Sequence, residues 1–145
     1  MACEIPSINE NLDTIKSIFE SVKSIAVVGL SPNPSKDSHK VASYLKNVGY
    51  KIVPIYPKED TILEENVYRS LKEIPLKLDM VVIFRKPKAI LPIVKEAIER
   101  GDVKAIWMQK EIVNNEAATL AKKYNIKVVQ NRCTMVDHKS LFEEN

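Results

Sequence analysis

Gly29, Ser31, Asn33, Ser35, Lys36 and Ser38 lie close together, directly after the apolar run Ile25-Ala26-Val27-Val28. These are the groups that hold phosphate. Glycine at a strand end permits a tight turn and close approach of backbone N–H groups. Hydroxyl and amide side chains add donors, Lys36 adds charge, and a helix starting near Ser38 adds oriented amides at its positive end. The segment Gly29-Leu30-Ser31-Pro32-Asn33-Pro34 is not a dinucleotide fingerprint, because the second and third glycines of G-x-G-x-x-G are missing. The Walker pattern is missing as well. A competing reading is a solvated turn shaped by Pro32 and Pro34, with Asp37 or Ser38 acting only as a helix cap.

Other residues bear on the cofactor's identity. After Lys51-Ile52-Val53-Pro54-Ile55-Tyr56 the chain continues Pro57-Lys58, and Glu59 and Asp60 come only afterwards. A site for NAD usually has an acid at this point to hold the ribose hydroxyls. Lys58 suits an extra phosphate instead, or is simply a surface lysine. Phe84-Arg85-Lys86-Pro87 offers a wall for an adenine and a phosphate contact in Arg85, or a charged loop feeding a helix. Trp107 reads as core, whereas Gln109, at the strand end, has the better claim to a ligand. Cys133, beside Arg132, is either a thiol tuned by nearby charge or an inert, partly buried side chain. Sequence places neither His39 nor His138 beside it. Cys133 with His138 falls short of a zinc ligand set, and no metal site is expected.

These residues need a frame, and the apolar spacing supplies one. Ser7 to Glu10 has the form of a capping box, followed by Ile8, Leu12, Ile15, Phe19 and Val22 at helical spacing. Short apolar runs at 25–29, 51–56, 79–84, 104–108 and 126–129 read as strands, the first of them buried on both faces. Pro54 puts its strand at an edge or near its end. Helical stripes occur at Val41 to Val48, ended by Gly49, and at Ile90 to Ile98, ended by Gly101. A third helix runs from an Asn114 cap to Lys123. Pro92 fits only in a first turn. Residues 58 to 78 read as loop with a short turn at Ser70 to Ile74.

Strands separated by helices require crossovers, hence a mainly parallel sheet covered on both faces. The expected fold is α/β: a Rossmann-like three-layer sandwich with five strands and an extra N-terminal helix. Ligands of such sheets sit at the carboxyl ends of the strands, near the reversal of strand order. The loops concerned are 29–38, 56–60, 84–88, 108–114 and 130–136.

The 145 residues fit one domain and one core. The excess of 22 Lys and Arg over 19 Asp and Glu is too small to indicate a nucleic-acid surface. No apolar run is long enough to span a bilayer, and Met1-Ala2-Cys3-Glu4-Ile5-Pro6 lacks the form of a secretory signal. Two cysteines, Cys3 and Cys133, fit free thiols in a reducing compartment. A cytoplasmic protein is expected.

Several segments together resemble the small stand-alone CoA-binding domain proteins. They are Ile25 to Ser31 with Pro32, Lys36 and Ser38; Val41-Ala42 with Tyr44-Leu45; Gly49-Tyr50; and Ile52-Val53-Pro54 with Pro57. Tyr68 with Ser70-Leu71 and Ile74-Pro75, Asp79 with Val81-Val82 and Phe84-Arg85, Trp107-Met108-Gln109 with Ile112-Val113-Asn114, and Arg132-Cys133 continue the match. The resemblance covers roughly 24 to 133 and extends to the nucleotide-binding domain of succinyl-CoA synthetase, without its catalytic partner domain. It implies a Rossmann-like fold that binds coenzyme A. Gly29, Ser31, Lys36 and Ser38 would meet the pyrophosphate, Lys58 would lie near the adenosine, and Arg85 and Gln109 would line the cleft. Thr134 stands where the family usually has proline.

Three functions follow as expectations. The first is a CoA or acyl-CoA binding module without catalysis of its own, working with a protein partner or as a homodimer. The second is a thiol-dependent acyl or CoA-disulfide carrier using Cys133. The third is an NAD(P)-sensing regulatory module.

Overall fold

A computed structural model of the chain describes residues 5–143; Cys3 and the rest of the first four residues lie outside the described residues. In chain order the elements are α1 (Leu12–Ser21), β1 (Ser24–Val28), α2 (Asp37–Asn47), β2 (Lys51–Ile55), β3 (Thr61–Ile62) and β4 (Glu65–Asn66). They continue with β5 (Met80–Ile83), α3 (Ile90–Arg100), β6 (Ala105–Met108), α4 (Asn115–Lys123), β7 (Lys127–Val129) and α5 (Thr134–Phe142). Five strands form one parallel sheet in the order β2-β1-β5-β6-β7. This is the expected Rossmann-like α/β architecture.

The continuous apolar strands are explained by the two layers they serve. Ala26, Val28, Val81, Ile83, Ile106 and Met108 pack on one face with α3 and α4 residues such as Val94 and Ala118. Ile25, Val27, Met80, Val82 and Trp107 pack on the other with Ile15 and Phe19 of α1 and Val41 and Leu45 of α2. Successive strand residues point to opposite faces, so both sets must be apolar. Pro54 lies in β2, an edge strand as expected, and its carbonyl accepts from Tyr68 N–H at 3.0 Å. Asn114 caps α4 by accepting from Ala117 N–H, and Pro92 occupies the first turn of α3.

Four expectations are corrected. The capping box at Ser7 to Glu10 does not form; Asn11 caps α1 by accepting from Thr14 N–H at 2.8 Å. Asn9 and Glu10 serve the exposed edge of β7 instead. Asn9 exchanges hydrogen bonds with Gln130 N–H and C=O, and Glu10 accepts from Val128 N–H and Lys122. These side chains satisfy backbone groups that no further strand reaches. Ile8 therefore packs in the α3–α4 layer rather than on α1.

A small antiparallel hairpin, β3–β4, falls inside the stretch read as loop. Its turn uses positive φ at Leu63 and Glu64, without the Asn-Gly or Asp-Gly signal such turns usually carry. The loop expected over 130–136 gives way at Thr134 to α5, a helix that runs to Phe142. Finally, neither Asp37 nor Ser38 caps α2; Lys36 occupies that position and makes no side-chain cap.

Trp107 Nε1–H donates to Arg132 C=O at 2.7 Å, Arg132 forms a two-point pair with Asp137, and Tyr44 OH lies 2.7 Å from His138 Nδ1. Together these contacts seat α5. His138 also stacks on Phe142 and meets Phe19 edge-on. Burial favours its neutral form and draws its pKa below the ordinary imidazole value, against the opposing pull of Glu143.

Candidate functional site

The strand order reverses at β1, which has β2 on one side and β5 on the other. Gly29 ends β1 at this reversal with φ +87°. A Cβ placed there would lie 2.5 Å from Phe84 C=O and 3.3 Å from Arg85 Cδ. Gly29 N–H donates to Ile55 C=O, and Phe84 N–H donates to Val28 C=O, both at 2.9 Å. The carboxyl ends of β1, β2 and β5 are thus drawn together around a position that only glycine fits.

The loop after Gly29 is held by its own polar groups. Ser38, 6% exposed, accepts from Ser31 N–H at 3.0 Å. Ser31 Oγ accepts from Asn33 N–H, Asn33 Oδ1 accepts from Ser35 N–H, and His39 Nδ1 lies 2.9 Å from Ser31 C=O. Ser31 and Ser38 therefore shape the loop. Lys36 stands exposed where α2 begins, with no ion pair among the described residues. In the first turn of α2, His39 and Lys40 N–H both donate to Lys36 C=O at 3.1 Å, whereas Asp37 and Ser38 N–H precede any carbonyl of their own helix that they could reach.

A cavity of about 500 Å³ opens at this edge, walled by Gly29, Tyr56, Pro57, Arg69, Phe84 and Arg85. Arg69 fastens its rim, donating from Nη1 to the carbonyls of Tyr56, Lys58 and Glu59 at 2.8–3.0 Å. Lys58 contributes that carbonyl, and its exposed side chain is not one of the walls. An adjoining hollow of about 290 Å³ shares Arg69 and Arg85 and includes Ser70, whose buried Oγ has no hydrogen-bond partner among the described residues.

A further cavity of about 310 Å³ lies across Phe84, which walls both it and the first. Lys40 and Val41 of α2, Gln109 after β6, and Cys133 and Met135 at the start of α5 line it. Gln109 is 3% exposed. Its Oε1 accepts from Thr134 N–H at 3.1 Å and Thr134 Oγ–H at 3.0 Å. Arg132 lines none of these cavities. Its guanidinium is committed to Asp137, which raises its already high pKa against the opposing effect of burial.

The structure thus gathers Gly29 and Arg85 at one cavity and Gln109 and Cys133 at the next. Ser31 and Ser38 act inside the loop, and Lys36 and Lys58 stand exposed on flanking loops. Arg69 and Met135 escaped sequence reading: Arg69 lies in a stretch without periodicity, and Met135 on a helix that was not foreseen. No cluster of His, Cys, Asp and Glu among the described residues has the form of a metal site.

Residues 23–139 match the family described as CoA binding domain. An uncharacterized Bacillus subtilis protein, YneT, is 35% identical over 130 residues, covering 90% of this chain and 96% of its own. The ADP-forming 4-hydroxybutyrate–CoA ligase of Nitrosopumilus maritimus is 32% identical over 124 residues, 78% of this chain but only 18% of the ligase. A solved structure of a hypothetical protein from Pyrococcus horikoshii superposes with a TM-score of 0.88 at 35% identity, covering 97% of this chain and 99% of that one.

Proposed function

The chain belongs to the CoA-binding domain family, and on that premise we propose that it holds CoA or an acyl-CoA across the carboxyl ends of β1, β2 and β5. The observation that carries this reading is the pair of cavities separated by Phe84 at the reversal of strand order, where parallel sheets bind nucleotides. The adenosine end occupies the larger cavity beside Tyr56, Pro57 and Arg69, within reach of Lys58 and Arg85. The pyrophosphate lies against Gly29 and the first turn of α2, with Lys36 as counter-charge and Ser31 and Ser38 fixing the loop. The pantetheine arm crosses Phe84 toward Gln109 and Cys133. Arg132 contributes indirectly, by clamping α5 through Asp137.

The choice of CoA over NAD(P) rests on the end of β2. Tyr56-Pro57-Lys58 offers no carboxylate for a ribose diol and a cation for an additional phosphate. We read the chain as a binding module without a reaction of its own. The two imidazoles that could serve as bases face elsewhere, His39 toward Ser31 C=O and His138 toward Tyr44. Among the described residues no helix is long and apolar enough to cross a membrane, which is compatible with work in the cytoplasm. A partner protein, or a second copy, supplies any chemistry on the acyl group.

Native mass spectrometry of freshly purified protein tests this reading. The expected result is a co-purified mass equal to CoA or an acyl-CoA, released on denaturation. A dinucleotide in its place would overturn it.

A further inference from the structure

The cavity beyond Phe84 carries information about what is attached to the cofactor. Gln109 is 97% buried in its wall, since only 3% of it is exposed. Thr134 consumes its Oε1 from two directions, which fixes the amide orientation. Its Nε2 group is left as a donor with no protein partner among the described residues. The Nε2 atom itself is not sealed from solvent and belongs to a side chain that walls the cavity, so a ligand acceptor at this point can take the place of solvent on it. The other walls combine the apolar Val41, Phe84, Ile112 and Met135 with Cys133 and the charged Asp37, Lys40 and Lys110. A hydrogen-bond donor beside that group of apolar side chains matches a carbonyl followed by hydrocarbon, while the charged residues suit the polar pantetheine arm.

We infer that this cavity is an acyl pocket, in which Gln109 Nε2 donates to the thioester carbonyl while Val41, Phe84, Ile112 and Met135 enclose a short acyl chain. The inference rests on the CoA reading above and adds the class of ligand: short-chain acyl thioesters bind in preference to free CoA. Length is limited by volume. At about 310 Å³ the chamber is near the lower end of small-molecule pockets, roughly 300–1,000 Å³, and it must also admit the end of the pantetheine arm. Met135, at the start of α5, closes one side. The seating of α5 through Trp107, Arg132 and Asp137 therefore sets the pocket's depth.

Titration calorimetry with CoA, acetyl-CoA, butyryl-CoA and palmitoyl-CoA tests this. Each buried methylene is worth roughly fourfold in affinity, so butyryl-CoA should bind about tenfold or more tightly than CoA, with no further gain for palmitoyl-CoA. In Met135→Trp the indole fills the chamber, and the ratio of butyryl-CoA to CoA affinity should fall to about one. Ile112→Phe narrows the opposite wall and gives the same readout should the first variant fail to fold. Equal affinities for CoA and butyryl-CoA in the wild type overturn the acyl pocket and leave CoA binding standing. A butyryl preference undiminished in a folded variant does the same. Absence of binding by every thioester and by CoA itself overturns the cofactor reading, and the pocket with it.

Discussion

The α-carbon of Gly29 lies so close to the carbonyl of Phe84 that a methyl group would sit 2.5 Å from its oxygen. That oxygen belongs to the backbone of β5's end and cannot swing aside. The left-handed φ of +87° adds strain for any other residue. Gly29→Ala is therefore expected to destabilise the fold by about 2 kcal/mol or more, combining φ strain of order 1–3 kcal/mol with the clash. Urea denaturation reads this directly. An alanine variant as stable as the wild type would show that β1 and β5 are not held together as described.

Asp79 performs the corresponding task at the amino ends of the same two strands. Its Oδ2 accepts from Lys23 N–H at 2.8 Å and Ser24 N–H at 3.3 Å, while Ser24 Oγ accepts from Asp79 N–H. Asp79→Ala leaves two backbone donors unmatched at the start of β1, and unmatched buried donors cost roughly 1–3 kcal/mol each. The expected loss is about 2 kcal/mol in denaturant unfolding. Because these amino ends lie across the sheet from the cavities at the carboxyl ends, the folded variant should retain the wild-type affinity for CoA.

Acid should loosen the protein in two stages. Burial disfavours the charged form of His138, lowering its pKa below the ordinary 6.5 despite Glu143. The unfolded chain therefore takes up this proton first, and the contribution of His138 is complete above pH 6.5 and declines below it. Asp102 follows at lower pH. Burial raises its pKa, but hydrogen bonds from Arg100 and Leu78 N–H outweigh this and hold it below its ordinary value. Its stabilisation is lost as pH falls beneath the usual carboxylate range. Urea midpoints measured between pH 7.5 and 3 should fall in both windows, and His138→Gln should flatten only the upper one.

The five strands were legible because each is buried on both faces and reads as an unbroken apolar run. Gly29 was legible because a strand end must turn. The failures have local causes. Glu10 three residues after Ser7 has the form of a cap, yet the unpaired edge of β7 competes for its carboxylate. α5 buries only Thr134 and Asp137 fully, so it lacks an apolar stripe to announce it. Arg69 works through its guanidinium on three carbonyls, a role that no spacing in the sequence encodes. Gln109 was placed at the ligand edge by its position after a strand. That its oxygen is taken by Thr134 depended on the unforeseen helix.

Calorimetric titration of the purified chain with CoA tests whether the carboxyl ends of β1, β2 and β5 hold this cofactor. A saturable one-site isotherm is expected, weakened severalfold in Lys36→Glu, with no comparable binding of NADH. No heat with CoA at millimolar ligand, or equal binding of NADH in competition with it, would contradict it.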